Sequence, residues 1–494
     1  MNGAPNRVVV VGRDAALWLA ATALRRALGG AGVEVVAVEL PARLHPGRVH
    51  ASLPPLEALH NRLGLDEATL LRATQGGYAL GWNLAPPAPA VPFFLAHGSY
   101  GASIDGNPFF PYWLKARGLG MNAAFEDFSP TAMAARHGRV LLPDAETEAF
   151  GRTDYGYHLP APAYAGLLKS LAQRAGATLH QARDVLVERD GADGTIRAVI
   201  ADAGQRIAGE LFVDASGQDA VLGSAAQPFA AWEGEQATDR LLVAHAPRFA
   251  SVPVYGEIRI ARDGWLALHA TRAGTQIGFA FKARDLSDAD ALAAAGAMAK
   301  LPLGDVTIET LAAGRRETQW AGNCIAIGAA ACRLDPLFDL DLHVAQLGIV
   351  HLLSLFPVSG AFAAERDEYN RILGSTLARL HDASAAFYGL NRFEGPFWQA
   401  ARAGPVTEAV AHKIAAFQAR GEIAPMEDES FAADWWQALF AGLGAAPRSW
   451  PPVIDATSPE HIKDEFRRIL GFVKRKVLEQ PAHDAYLQLQ GGAA

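Results

Sequence analysis

RVVVVGRDAALWLAATALRRALGGAGVEVVAVE, residues 7–39, is the stretch that decides the fold. A β-branched run ends at Gly12, an Ala- and Leu-rich helix spans Ala15 to Leu28, and a second strand runs from Val33 to Glu39. A strand, a helix and a strand in this order predict a parallel βαβ unit. Glu39 lies about 20 to 27 residues past the turn, near where dinucleotide-binding folds hold a ribose hydroxyl. The segment therefore predicts a nucleotide-binding α/β layer.

Length and composition narrow the class of protein. The chain has 494 residues, half of them hydrophobic, and a net charge of −8, so we expect a large core and no nucleic-acid partner. The two cysteines, Cys324 and Cys332, are too few for a disulfide framework, which favours a reducing cytoplasm. The amino terminus shows no signal-peptide pattern, and the apolar stretch 347–364 is broken by His351, Pro357 and Gly360. We expect a soluble cytoplasmic protein without a membrane span.

The remaining segments complete an α/β fold. The prolines of 86–92 predict an irregular crossing to a separate layer, 186–199 predicts a hairpin, 211–213 a buried strand, and 257–281 antiparallel sheet. From Ala345 onward the pattern is helical. We predict an α/β fold with a Rossmann-like FAD/NAD(P)-binding domain of the flavin monooxygenase type, a β-rich insert and a helical C-terminal cap. The predicted division is a βαβ unit at 1–85, an insert at 86–150, the rest of the nucleotide layer at 151–225, a substrate-side sheet at 226–310, a last nucleotide-type segment at 311–345, and the cap at 346–494.

The C-terminal half carries a run of motifs that occur together in one known family. These are Tyr369-Asn370-Arg371, Asp382, Phe387-Tyr388, Asn391-Arg392, Pro396-Phe397-Trp398, Phe431, Trp435, Gly444, Pro447-Arg448, Pro452, Asp455 and Pro481-Ala-His483. Upstream the matching residues are Tyr157-His158, Asp214-Ala-Ser-Gly217, Gly314-Arg315-Arg316, Trp320, Asn323 and Ala326-Ile-Gly328. In this order and over nearly its whole length, the chain resembles the flavin-dependent tryptophan halogenases.

The resemblance implies a flavin chemistry. Such enzymes bind FAD that a separate flavin reductase has reduced, oxidise halide to hypohalous acid, and pass it to a lysine beside an indole. By the same resemblance, the residues left to contact the cofactor are Gly12, Glu39, Gly217 and Gly328, and Trp265 stands on the substrate side.

The pyrophosphate turn departs from the family pattern. The Gly-x-Gly-x-x-Gly loop places backbone N–H groups and a helix N-terminus against a diphosphate. Here the tight-turn glycine is Gly12, but the second glycine is Asp14 and the third is Leu17. A carboxylate at a helix N-terminus is favourable by about 0.3–1 kcal/mol and takes the place of a phosphate. The sequence thus predicts a structural turn and puts FAD binding in doubt.

The halogenating positions depart further. The family lysine falls on Ala79, and the catalytic glutamate falls on Phe338, within Asp335-Pro336-Leu337-Phe338-Asp339-Leu340-Asp341. Of the Trp-x-Trp barrier, Trp265 remains and Ala267 replaces its partner; the ribityl Gly-Asp reads Gly328-Ala329, and the acidic flavin turn ends in His50. His50, His97, His158 and His269 show no metal-ligand spacing, so no metal is expected.

Three functions remain open from these residues. The leading hypothesis is a non-catalytic homologue that keeps the fold to bind an active halogenase relative, a peptide or a small indole-like aromatic ligand. The alternative is a divergent FAD-dependent monooxygenase or halogenase that acts on an indole or aromatic substrate with a separate flavin reductase. Ordinary tryptophan halogenation is the least favoured, and a homodimer is compatible with each.

Overall fold

The computed structural model describes residues 3–223, 227–232, 234, 236–360 and 362–491. The strands are β1 Arg7–Gly12, β2 Glu34–Glu39, β3 Val49–Ala51, β4 Gly77–Ala79, β5 Gly81–Ala85, β6 Phe93–Ala96, β7 Gly156–Pro160, β8 Thr178–Gln181, β9 Val185–Arg189, β10 Ile196–Ala201, β11 Gln205–Ala208, β12 Leu211–Ala215, β13 Phe229–Ala231, β14 Arg240–Ala246, β15 Gly256–Ala261, β16 Gly264–Ala270, β17 Thr275–Phe281, β18 Gly304–Thr310, β19 Gly314–Arg316, β20 Trp320–Ala321, β21 Cys324–Ala326 and β22 Cys332–Arg333. The α-helices are α1 Asp14–Leu28, α2 Pro55–Arg62, α3 Glu67–Thr74, α4 Phe109–Gly118, α5 Pro130–Arg136, α6 Ala145–Phe150, α7 Ala161–Arg174, α8 Asp288–Ala299, α9 Asp341–Ser354, α10 Ala363–Leu390, α11 Pro396–Ala403, α12 Glu408–Arg420, α13 Ala433–Gly442, α14 Pro459–Glu479 and α15 His483–Gly491.

The predicted βαβ unit lies at the centre of a six-stranded sheet of order β20-β21-β12-β1-β2-β8. β1 pairs in parallel with β12 on one side and with β2 on the other, so that Gly12 is level with both Ala215 and Glu39. A side chain at Gly12 would place its Cβ only 2.5 Å from the Ala215 carbonyl oxygen. Glycine is therefore required where β1 leaves the sheet, and the sequence prediction for this unit is confirmed.

A second, seven-stranded sheet of order β18-β14-β17-β16-β15-β5-β6 forms the other large layer. The antiparallel run β15–β17 matches the sheet predicted over 257–281. The proline-rich stretch 86–92 joins β5 to β6, which pair antiparallel to each other. The predicted crossing to a separate layer is therefore wrong. Prolines cannot donate to a ladder, but they are compatible with the loop of a hairpin, and that is where these residues lie.

Smaller elements place the remaining segments. β9 and β10 form the predicted hairpin around Asp193-Gly194. β3, β7 and β4 form a three-stranded sheet that carries position 79. Helices dominate the chain from α9 onward, as the pattern predicted. Within the described residues, none of the helices is both long and apolar enough to cross a membrane.

Candidate functional site

Four residues predicted to contact a cofactor lie at one edge of the six-stranded sheet. Gly12 ends β1 and Glu39 ends β2, while Gly217 follows β12 and Gly328 follows β21. Gly217 and Gly328 have φ angles of 74° and 57°, a conformation that glycine adopts without steric cost. A Cβ on Gly328 would lie 3.6 Å from that of Ala16 in the first turn of α1. The fold thus brings these residues together at the carboxyl ends of parallel strands, where α/β sheets bind ligands.

Ion pairs connect the loops at this edge of the six-stranded sheet. The Asp219 carboxylate, in the turn after β12, lies 2.9 Å from the Arg13 guanidinium and 2.5 Å from that of Arg43. Arg13 is only 8% exposed, so the pair it makes is largely shielded from solvent. Asp14 begins α1 with a φ of 54°, and its carboxylate accepts the backbone N–H of Arg43. Arg13 is thus paired and buried, although a single arginine in a turn would ordinarily be expected to be solvated.

Glu39 is also engaged by neighbouring side chains. Its carboxylate lies 2.6 Å from the Lys169 ammonium and accepts a hydrogen bond of 3.0 Å from the Gln181 amide. The same ammonium lies 5.3 Å from the ring centroid of Trp18, within the range of a cation–π contact. The acid predicted to hold a ribose is thus held between helix α7 and strand β8.

Ala79 lies at the end of β4 and is 3% exposed. It pairs with Gly156 on β7, and its strand neighbour Tyr78 points to the other face, where the phenol donates to Glu67 at 2.6 Å. A methyl group has neither a lone pair nor a proton to donate. Position 79 therefore offers no nucleophile and no hydrogen bond.

Phe338 is packed inside an aromatic cluster. Its ring centroid lies 5.3 Å from that of Trp82 and 5.5 Å from that of Trp435, with Phe387 and Phe431 at 6.3 and 6.5 Å. These separations fall within the range in which aromatic rings stabilise one another. Phe338 is 2% exposed, so the position is part of the core and carries no acid or base.

A buried ion pair lies next to Phe338 in sequence. The Arg48 guanidinium, 8% exposed, lies 2.5 Å from the Asp339 carboxylate, which also accepts the Ala51 backbone N–H at 3.1 Å. Although burial opposes ionisation, Arg48 and the nearby His269 hold the pKa of Asp339 below its ordinary value. Sequence analysis noted the aspartates but missed this pair, because its partners are 291 residues apart.

The four histidines singled out in the sequence are all buried. Burial lowers the pKa of His50 to about 4 and the pKa of both His97 and His158 to about 3, and it also lowers the pKa of His269. The rings of His158 and His269 lie 5.0 Å apart, but His97 instead packs against Trp82. Among the residues that the structure describes, no group of three or more such side chains could hold a metal ion.

Trp265 lies on β16 and is 1% exposed. Its indole N–H donates to the Tyr388 hydroxyl at 2.9 Å, and that hydroxyl donates in turn to Asp335 at 3.0 Å. These contacts fix the orientation of the indole ring. A contact between Trp265 and a substrate stays a prediction.

Two cavities adjoin one another beside the helical cap. The larger cavity, about 600 Å³, has aromatic walls formed by Tyr100, Phe109, Phe110 and Phe150. The smaller cavity, about 310 Å³, is lined by His97, Phe431 and Trp435, among others. Arg152 and Ala432 line both. Arg152 is fixed by Asp154 at 2.8 Å and by the His97 carbonyl at 2.9 Å. Sequence reasoning did not find Arg152, which no local pattern distinguishes.

The fold and these positions can be compared with known proteins. A model of the family described as tryptophan halogenase matches residues 7–459. This chain belongs to the tryptophan halogenase family. It is 25% identical to a tryptophan 7-halogenase from Kutzneria sp. (strain 744), over 97% of each chain.

Solved structures of the family agree with the fold. A flavin-dependent halogenase from Brevundimonas sp. BAL3 superposes with a TM-score of 0.91 at 28% identity, covering 98% of this chain and 99% of that one. One from Xanthomonas campestris superposes with a TM-score of 0.92 at 26% identity, covering 99% of each. The resemblance and the fold class predicted from the sequence are both confirmed.

Halogenases of this family depend on flavin and work with a separate flavin reductase, so the edge around Gly12 is where FAD would bind. A diphosphate needs free N–H groups at the start of α1 and an environment without competing anions. Here the start of α1 lies near the carboxylates of Asp14 and Asp219. The Asp14 carboxylate accepts the Arg43 backbone N–H, and the Asp219 carboxylate pairs with Arg13. As arranged, these side chains do not fit the cofactor.

Proposed function

We propose that this family member binds a small aromatic, indole-like ligand without halogenating it. The observation that carries the proposal is the pair of substitutions at the halogenating positions, Ala79 and Phe338. Both side chains are buried and apolar, and Phe338 has its own set of aromatic partners. On this proposal the chain retains the family fold and a region that binds the ligand, but it does not transfer halogen to that ligand.

The side chains at positions 79 and 338 support a role in which a ligand is bound but halogen is not transferred. Oxidised halogen needs a group that can hydrogen-bond to it or bond to it covalently, and the methyl group of Ala79 can do neither. A carboxylate that exchanges protons cannot be replaced by the phenyl ring of Phe338. Loss of one catalytic group often lowers a rate by several powers of ten, and groups that act as a unit do not compensate for each other. Halogenation by this chain is therefore expected to be negligible.

The adjoining cavities supply the binding region. Pockets of roughly 300–1,000 Å³ with aromatic walls and a few fixed polar groups are typical ligand sites. The larger cavity falls in this range, and Arg152 stands at its junction with the smaller one, in contact with Asp434 at 3.4 Å. Planar rings can stack on the aromatic walls, while Arg152 and Asp434 offer polar contacts.

The first test measures the chemistry. The chain is incubated with L-tryptophan, chloride, FAD, NADH and a flavin reductase, and the products are analysed by mass spectrometry. We expect no chlorotryptophan, whereas the Xanthomonas campestris halogenase, run in parallel on a substrate that it halogenates, should give product. Chlorotryptophan from this chain would refute the loss of halogenation. Substrate-dependent NADH consumption with an oxygenated product would favour the monooxygenase alternative.

The second test measures binding by calorimetric titration with indole and with L-tryptophan. Ala432 lines both cavities and is exposed, so Ala432→Trp should obstruct their junction and weaken binding of either probe at least about tenfold without unfolding the chain. Ala411→Trp, exposed on α12, is the matched control and should bind as the wild type does. Equal binding by both variants would place the ligand elsewhere.

A further inference from the structure

Three loops at the carboxyl edge of the six-stranded sheet are joined by the carboxylate of Asp219. Arg13 comes from the turn between β1 and α1, Arg43 from the segment after β2, and Asp219 from the turn after β12. These turns converge where the central strands β12, β1 and β2 end. The contacts therefore bridge the opening that a dinucleotide would have to enter.

Asp14 adds a second connection across the same opening. Burial raises the pKa of its carboxyl, while the hydrogen bond from the Arg43 backbone and the charge of Arg13 oppose that rise. The nearby charge of Glu39 acts in the same direction as burial. The edge thus already holds carboxylates at Asp14, Glu39 and Asp219 close to one another.

We propose that these contacts replace the cofactor: the Arg13–Asp219–Arg43 bridge and the Asp14 carboxylate close the ancestral dinucleotide cleft against FAD. A diphosphate would bring two further negative charges to a site where the Asp219 carboxylate already pairs with the guanidinium groups of Arg13 and Arg43, and where Asp14 begins α1 with a second carboxylate. It could enter only by displacing Asp219 from a largely buried partner, which leaves that carboxylate unpaired beside the incoming anion. The proposed closure of the cleft follows from these contacts alone, and it does not rest on the residues at positions 79 and 338.

The experiment is a titration of free FAD, followed by quenching of flavin fluorescence. The wild-type chain should give no saturable quenching at micromolar FAD and should purify without colour. The double variant Asp14→Gly/Asp219→Ser removes two carboxylates and restores a glycine in the turn, and it should bind FAD at least about tenfold more tightly. The control Glu188→Gln removes the half-buried partner of Arg206 on the sheet formed by β9, β10 and β11, and it should behave like the wild type.

Further measurements separate closure from misfolding. Circular dichroism must show that the double variant is folded, and Asp219→Asn alone should lower the melting temperature, because it leaves buried Arg13 without its partner. Inorganic diphosphate and ADP should not raise the wild-type melting temperature. Saturable FAD binding by the wild type, stabilisation by diphosphate, or a folded double variant that gains no affinity would each overturn the proposal. Flavin binding without chlorotryptophan would overturn this inference alone, whereas chlorotryptophan would overturn the proposed function.

Discussion

The contribution of buried histidines to the free energy of unfolding should fall by at least about 5 kcal/mol between pH 7 and pH 5. The cause is a set of histidines that are buried without charge. Burial lowers the pKa to about 4 for His50, His60 and His343, and to about 3 for His97 and His158. In the unfolded chain each has an ordinary pKa near 6.5.

The direction follows from which state binds more protons. Below pH 6.5 the unfolded chain takes up a proton at each of these histidines, while the folded chain does not until the pH approaches 4 or 3. Their contribution to stability is therefore complete above pH 6.5 and is lost as the pH falls. One pKa unit corresponds to about 1.4 kcal/mol, so each histidine contributes roughly 2 kcal/mol between pH 7 and pH 5.

Urea unfolding at a series of pH values measures the effect. Among the described residues, His60 has only the Tyr164 hydroxyl as a hydrogen-bond partner, and His60→Gln should keep that contact. The slope of the free energy of unfolding against pH should then decrease by the equivalent of about one proton. His137→Gln, at an exposed position, is the control and should leave the slope unchanged. If His60→Gln leaves the pH dependence of stability as it is in the wild type, His60 is solvated in the folded chain and the prediction is wrong.

Asp339→Ala is expected to destabilise the fold by about 3–5 kcal/mol. The substitution leaves the buried Arg48 guanidinium with only the more distant carboxylate of Asp341, and it also leaves the Ala51 N–H without an acceptor. An unpaired buried charge costs far more than a lost surface contact. Chemical denaturation at pH 7 gives the difference directly.

Asp341 provides the matched control. It contacts the same guanidinium at 3.3 Å, but its side chain is 51% exposed, so Asp341→Ala should cost no more than about 1 kcal/mol. Replacing both buried partners, as in Arg48→Met/Asp339→Leu, should recover most of the stability, because no lone charge remains. If Asp339→Ala and Asp341→Ala cost the same, Arg48 reaches solvent in the absence of Asp339.

Local patterns predicted the framework of the molecule well. β1, α1 and β2 follow from a β-branched run, an Ala- and Leu-rich helix and a second such run, because strand and helix periodicities are written in consecutive residues. The gathering of Gly12, Glu39, Gly217 and Gly328 at one edge follows from parallel strands ending together. The proposal for positions 79 and 338 came from matching single residues, Ala79 and Phe338, to the family pattern.

Long-range contacts could not be predicted in this way. The Arg48–Asp339 pair and the bridge at Asp219 join segments that are far apart in the chain, and no periodicity records which charges will meet. The prediction for the proline-rich loop at 86–92 was wrong for a related reason. Prolines indicate that a strand stops but not whether the next strand returns beside it, which the pairing of β5 with β6 decides.

The packing around Phe338 makes a carboxylate at this position unfavourable. Its ring packs against Trp82, Phe387, Phe431 and Trp435, so Phe338→Glu would put a charge among four aromatic side chains and leave a gap where the ring had been. An engineered glutamate at this position would therefore need compensating substitutions among these four neighbours before it could be accommodated.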